Sequence, residues 1–193
     1  MSTRTSKARA LQPADYLKKI LTARVYDVAT ESALEVAKNL SRRIHNTVLL
    51  KREDQQPVHS FKLRGAYNKM AHLSPEQLKK GVICASAGNH AQGVALAAKK
   101  LGIKATIFMP VGASLPKFEA TKNYGADVVL SGAVFAETLV AAREYANKKG
   151  AIFIPPYDNL DVILGQGTVG LELLDQVPDV KNVIVAILSL IHI

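Results

Sequence analysis

The chain is organised around ten residues with a lysine near their centre, Pro57-Val58-His59-Ser60-Phe61-Lys62-Leu63-Arg64-Gly65-Ala66. Upstream, the apolar residues 48–50 predict a buried strand, and Pro57 prevents regular strand pairing from continuing. Downstream, apolar residues recur at helical spacing, namely Leu63, Ala66, Tyr67 and Met70. The pattern therefore predicts a helix that carries Lys62 in its first turn.

A lysine in this position has unusual chemistry. Its positive charge faces the positive end of the helix dipole, which lowers the pKa of the amine and favours the neutral, nucleophilic form. The same helix start attracts an anion. The alternative is a solvated surface lysine, because lysine is rarely buried. From these residues alone, Lys62 is a candidate for covalent chemistry and both interpretations remain open.

From Gly81 onwards the sequence predicts an open α/β unit over about residues 58–155. Apolar strands at residues 82–86, 105–109, 127–131 and 151–154 alternate with helices that begin near His90, Leu115 and Phe135. Gly102, Gly125 and Gly150 stand where the helices should end. Short strands joined through helices predict a parallel sheet that is covered on both faces.

The first of these strands ends in Ser86-Ala87-Gly88-Asn89-His90, where a helix begins at once. Small residues that open a helix leave backbone N–H groups unpaired in front of the positive dipole end, which makes an anion site. The alternative is that Ser86 or Asn89 merely caps the helix. Cys84, on the apolar strand before this loop, is expected to be a small core residue.

Other segments predict structure rather than chemistry. Residues 1–12 are expected to form a disordered leader, residues 13–22 a helix, and residues 25–44 helix and loop. Ser74-Pro75-Glu76-Gln77 predicts a helix start with a capping box. Towards the end we expect a crossover between domains at residues 155–158, a glycine turn at residues 165–168 before a helix, and a strand at residues 183–187.

Composition limits the function classes. The net charge of +9 is dispersed as basic pairs, which we expect to close helices rather than to form a nucleic-acid surface. The sequence has one cysteine, which excludes an internal disulfide, and no apolar run of the roughly 18 residues that a membrane span needs. No secretory signal is evident, so we expect a cytoplasmic protein without a metal, nucleic-acid or membrane partner.

Two motifs resemble a known family over about residues 15–187. They are Lys51-x-Glu53-x-x-x-Pro57-x-x-Ser60-Phe61-Lys62-x-Arg64-Gly65-Ala66 and Ser86-Ala87-Gly88-Asn89-His90-Ala91-Gln92-Gly93. They resemble the serine/threonine dehydratases, pyridoxal-phosphate enzymes of the tryptophan-synthase-β-like α/β fold (fold type II), and among these the biosynthetic threonine ammonia-lyases.

The resemblance implies a set of site residues. Lys62 would carry pyridoxal 5′-phosphate and remove the α-proton, and Phe61 and Asn89 would contact the cofactor. Ser86, Gly88, Asn89 and His90 would line the site of the substrate carboxylate, whereas His90 is less suited to be a general base than to cap or pack. The reaction implied is deamination of L-threonine to 2-oxobutanoate and ammonia, a step towards isoleucine, by a homo-oligomer when full length.

The end of the sequence departs from the family pattern. In that family the last strand leads into a glycine run that binds the cofactor phosphate, but residues 188–193 contain no glycine. We therefore expect the N-terminal part of a longer enzyme, with a large domain (residues 13–57 and 156–193) that is truncated. Two alternatives remain open: a serine dehydratase or serine racemase, and an inactive chain that only binds a small anion or a partner chain.

Overall fold

The computed structural model describes residues 11–185. Its helices are α1 (Pro13–Leu21), α2 (Lys38–Ile44), α3 (Lys62–Ala71), α4 (Pro75–Lys79), α5 (Asn89–Leu101), α6 (Leu115–Asn123), α7 (Phe135–Lys149) and α8 (Leu160–Gln176). Its strands are β1 (Leu34–Val36), β2 (Leu49–Lys51), β3 (Val82–Ala85), β4 (Ala105–Met109), β5 (Asp127–Leu130) and β6 (Ile152–Phe153). The predicted leader up to residue 10 and the glycine-free end from residue 188 lie outside the described residues.

A parallel four-stranded sheet in the order β5-β4-β3-β6 forms the centre of the molecule. Successive side chains of a strand point to opposite faces, and β3 shows this clearly. Val82 and Cys84 pack in a core cluster with α3 and α5, whereas Ile83 and Ala85 pack with Ala142 and Ala146 of α7. The predicted parallel sheet with both faces covered is confirmed, and Cys84 is a fully buried core residue as expected.

The helix ends follow the predicted chemistry. Gly102 and Gly150 cap α5 and α7 in the left-handed conformation, where a residue without a Cβ is favoured. Ser74 begins α4 with the predicted capping box. The prediction that the basic pairs close helices is confirmed, because members of all five pairs stand in last helical turns: Lys18, Lys19, Arg42, Arg43, Lys79, Lys99, Lys100, Lys148 and Lys149.

The predictions for residues 25–50 need correction. A strand, β1, lies in the stretch expected to be helix and loop, and it pairs antiparallel with β2 in a separate two-stranded sheet. The strand predicted at residues 48–50 exists as β2, but it is not buried, because Leu50 is 47 % exposed. A two-stranded sheet gives each strand one neighbour and leaves its second edge and one face without cover.

The glycine turn predicted at residues 165–168 is wrong, because these residues lie inside α8. A Cβ on Gly165 would come within 2.7 Å of the Arg64 carbonyl oxygen and of the Gly65 Cα, so this glycine permits close approach of α3 and α8. The strand predicted at residues 183–187 is not formed over the described residues 183–185. Ile184 there is 97 % exposed, without a strand to pair with.

The domain boundaries near residues 58 and 155 stay a prediction. No helix within residues 11–185 is both long and apolar enough to cross a membrane.

Candidate active site

Lys62 is the first residue of α3, as predicted, and it is only 8 % exposed. The helix is anchored by Leu63, Ala66, Tyr67 and Met70, which are all buried. The Lys62 amine donates a hydrogen bond to the carbonyl oxygen of Pro156 at 2.8 Å. Burial lowers the pKa of the Lys62 amine, because a charged group loses hydration there. The pKa shift therefore has the expected direction, with burial as its main cause.

Phe61 stands directly before α3, as its N-terminal cap residue. It is 37 % exposed, and its ring centroid lies 5.5 Å from the Lys62 Nζ. The aromatic face therefore borders the amine while part of the ring stays open to solvent. A flat ligand attached at Lys62 would meet this ring.

The loop between β3 and α5 places small residues in front of a helix start. Gly88 is the cap residue of α5, its N–H donates to the Ser86 Oγ at 3.2 Å, and Asn89 is the first helical residue. The cap residue Gly88 has no side chain, and the Ser86 hydroxyl bonds the Gly88 N–H rather than an N–H of the first turn, so the alternative of simple capping by Ser86 or Asn89 has no direct support. Asn89 is exposed, and Ser86 and Gly88 are partly exposed, so the loop and the first residue of α5 border accessible space.

Lys117 is a residue of this site that the sequence interpretation missed. Its Nζ lies 3.9 Å from the position that a Cβ on Gly88 would take, which puts a positive charge beside the loop. Lys117 stands in the first turn of α6, after β4. A lysine in the first turn after a strand end was the signal that singled out Lys62, and it applies equally to Lys117.

His90, the second residue of α5, is placed differently from the loop residues that precede the helix. It is 4 % exposed, and its Nε2 lies 3.0 Å from the Ile154 carbonyl oxygen at the end of β6. Burial lowers the pKa of His90 to about 4, with the nearby charge of Lys62 acting in the same direction. The ring is therefore neutral at pH 7 and packed below the loop. Its contact with a substrate carboxylate stays a prediction.

The tertiary structure brings the two sequence motifs together through the end of β6. Lys62 reaches Pro156, and His90 reaches Ile154 two residues earlier. Both contacts lie at the carboxyl end of the sheet, where open α/β sheets bind ligands. The Cys84 thiol, in contrast, is fully buried, and burial raises its pKa, so it is not a nucleophile here.

The residues present fit the aldehyde end of pyridoxal phosphate. The neutral form of an amine attacks a carbonyl carbon, and burial of Lys62 favours that form by lowering its pKa. A second polar group near α3 is Gln166, whose Oε1 accepts from the Gly65 N–H at 3.2 Å while its Nε2 is buried and has no hydrogen-bond partner among the described residues. An unpaired buried donor suits an acceptor group of a ligand.

Comparison with known proteins agrees with this geometry. A family model for pyridoxal-phosphate dependent enzymes matches residues 25–192. The chain belongs to this family. The pyridoxal-phosphate enzymes that it resembles in sequence include the biosynthetic threonine dehydratases of Arabidopsis thaliana, at 56 % identity over 84 % of this chain, and of Escherichia coli K12, at 48 % over 92 %. The chain spans 27 % and 35 % of the length of these two relatives.

Solved structures of the family show the same fold. The chain is similar to the processed form of threonine deaminase isoform 2 from Solanum lycopersicum, with a TM-score of 0.84 and 52 % identity over 86 % of this chain and 46 % of the other. It is also similar to maize serine racemase, with a TM-score of 0.81 and 35 % identity over 86 % and 50 %. The predicted family and its fold type II architecture are confirmed.

The buried groups of this site predict a loss of stability in mild acid. His90 has a pKa of about 4 when folded and about 6.5 when unfolded, so between these values the unfolded chain binds more protons. Stability is therefore highest above pH 6.5 and falls as the pH decreases, by about 2 kcal/mol between pH 7.5 and 5. Glu172, whose pKa is lowered by bonds from Arg64 and Lys51 despite its burial, extends the loss to lower pH.

Denaturant unfolding at several pH values measures this effect. His90→Gln keeps a side-chain donor but does not titrate, so the variant should lose the dependence between pH 7.5 and 5. Equal slopes in the two proteins would contradict the assignment to His90.

Proposed function

We propose that this chain is the lysine-bearing part of a threonine ammonia-lyase, which uses pyridoxal 5′-phosphate to convert L-threonine into 2-oxobutanoate and ammonia. The observation that carries the proposal is the buried Lys62 amine, held at the start of α3 and linked through residues 154–156 to the first turn of α5. It is supported by identities of about one half to proteins named threonine dehydratases. When bound, the cofactor would supply an electron sink for the charge that develops on the substrate Cα.

The chain's own residues then have distinct tasks. Nζ of Lys62 accepts the proton from Cα, burial favours its neutral form by lowering the pKa, and the Pro156 carbonyl orients the amine. The first-turn N–H groups of α5, with Ser86, Gly88 and Asn89, bind the substrate carboxylate, and the Lys117 ammonium adds positive charge beside them. Phe61 and Asn89 border the cofactor. Loss of the α-proton and of the β-hydroxyl, followed by hydrolysis, yields the products.

Replacement of Lys62 tests the attachment point. The 193-residue chain is incubated with pyridoxal phosphate and reduced with borohydride. It is then digested, and the masses of its peptides are measured by mass spectrometry. We expect the pyridoxyl group on the peptide that contains Lys62, and its complete loss in Lys62→Ala. The matched control is Lys69→Ala on the same helix, where Lys69 is paired with Asp161 at 2.8 Å and labelling of Lys62 should persist. Labelling spread over surface lysines, unchanged in Lys62→Ala, would exclude Lys62.

The substrate is tested by incubation of the protein with L-threonine and L-serine and by assay of 2-oxobutanoate, pyruvate and D-serine. We expect preference for threonine by about 10- to 200-fold, the range that one methyl group provides in an apolar pocket. The similarity to maize serine racemase supports the second candidate, an enzyme that acts on serine. Formation of D-serine or faster pyruvate formation would favour it.

A chain without turnover is the third candidate, supported by the absence of glycine from residues 188–193. It would show cofactor labelling or anion binding but no product. We also propose that the full-length threonine ammonia-lyase forms a homo-oligomer. Cytoplasmic location stays a prediction, since the Arabidopsis relative is named chloroplastic.

A further inference from the structure

Residues 154–156, which we call the exit segment because they follow β6, keep one backbone bond to the sheet, and side chains bind their carbonyl groups. The Ile154 N–H donates to the Ile83 carbonyl oxygen of β3 at 2.7 Å, which is the last backbone bond of this strand pair. Pro155 and Pro156 follow, and proline has no N–H to donate. The sheet pairing therefore ends at Ile154, and no backbone N–H of the described residues donates to the carbonyl groups of the exit segment.

Two side chains from different helices take these carbonyl groups. The His90 Nε2 lies 3.0 Å from the Ile154 oxygen, and the Lys62 Nζ lies 2.8 Å from the Pro156 oxygen. A carbonyl oxygen only accepts, so the His90 ring must carry its proton on Nε2. Ile154 is fully buried and His90 is 4 % exposed, so this contact is closed to water.

The arrangement gives His90 a task other than contact with a ligand. We propose that His90 is a positioning residue: by binding the Ile154 carbonyl it holds the exit segment so that the Pro156 carbonyl covers and orients the Lys62 amine. The inference rests on the proposed function only in that Lys62 is the reactive amine. Because His90 directly follows Asn89 in α5, the same contact joins the loop before α5 to Lys62.

The proposal makes a specific statement about Lys62. The exit segment lies over the amine, and burial is the cause of its lowered pKa. The ion pairs of the described residues do not include Lys62, so no neighbouring carboxylate competes with this effect. The charged group that faces His90 is Lys62 itself. Release of the exit segment should therefore admit water and raise the pKa of Lys62.

Competitive acetylation of amines over a range of pH measures this directly, without cofactor or substrate. The proteins compared are the 193-residue chain, His90→Leu, which has no donor, and His90→Gln, whose amide donates from a similar distance. We expect the midpoint of Lys62 labelling to rise in His90→Leu and to return towards the parent value in His90→Gln. Lys69, labelled in the same samples, should keep one curve in all three proteins.

Two outcomes would overturn the proposal. An unchanged Lys62 midpoint in His90→Leu would show that His90 does not hold the exit segment. Equal shifts in His90→Leu and His90→Gln would show that ring packing, rather than the hydrogen bond, is what matters.

Nitrogen NMR of His90 in the unmutated chain covers the case in which His90→Leu does not fold. The proposal requires a neutral ring protonated on Nε2 at pH 7, and a ring protonated on Nδ1 or on both nitrogens would reject it. The two proposals can fail separately. If Lys62 is not labelled by pyridoxal phosphate and borohydride but its acetylation midpoints shift as expected, the proposed function is rejected and the role of His90 is supported. Pyridoxyl labelling of Lys62 together with an unchanged Lys62 midpoint in His90→Leu would support the proposed function and reject the role of His90.

Discussion

Replacing Arg64 by leucine should lower the free energy of unfolding by about 3–5 kcal/mol, the cost typical of removing one partner from a buried ionic network. Arg64 is fully buried and donates to Glu53 at 2.7 and 2.8 Å, to Glu172 at 2.5 Å and to Thr168 at 3.1 Å. Without it, Glu53 has no ion-pair partner among the described residues, whereas Glu172 keeps Lys51 at 2.7 Å. The large effect follows from the unpaired charge of Glu53 and from the loss of one of the two cations that bind Glu172.

Guanidinium unfolding of Arg64→Leu and Arg24→Leu measures the difference. Arg24 also pairs with a carboxylate, Asp27 at 2.8 Å, but the two side chains are 55 % and 41 % exposed. Solvent screens such a pair, so its loss should cost no more than about 1 kcal/mol. Similar stabilities for the two variants would mean that the buried network contributes nothing beyond a surface ion pair.

Replacing Gly165 by alanine is the second change expected to have a large effect. Its Cβ would lie 2.7 Å from both the Arg64 oxygen and the Gly65 Cα, and backbone atoms cannot turn aside as a side chain can. α3 and α8 would have to separate, at a cost of about 1–3 kcal/mol or more. Because Lys62 begins α3, we also expect weaker pyridoxal-phosphate labelling of Lys62.

Gly170→Ala is the matched control within the same helix. Gly170 is exposed, and a Cβ there meets nothing within 4 Å, so alanine should stabilise α8 by about 0.5–1 kcal/mol. Thermal unfolding should therefore shift in opposite directions for the two variants. Shifts of the same sign and size would contradict the close contact between α3 and α8.

Local patterns in the sequence accounted for most of the central fold. Lys62 begins its helix as predicted because apolar residues at helical spacing follow it, and the four strands of the parallel sheet stand where apolar runs alternate with helices. Gly165 marks the limit of such reasoning. Two glycines in four residues suggest a turn, but here they permit helix contact, and nothing nearby in the sequence distinguishes the two.

The sequence by itself determined the helix that presents Lys62, the alternation of strands and helices, and the family. Only the tertiary structure decided that Lys62 is buried against the Pro156 carbonyl, that His90 binds Ile154, that Lys117 stands beside Gly88, and that β1 pairs with β2. The physical reason is the distance along the sequence between the interacting residues. Helix and strand patterns arise between residues that are a few positions apart. Burial, pKa and hydrogen-bond partners depend on segments far apart in the chain, such as Lys62 and Pro156, which come together only when the sheet and its helices have packed.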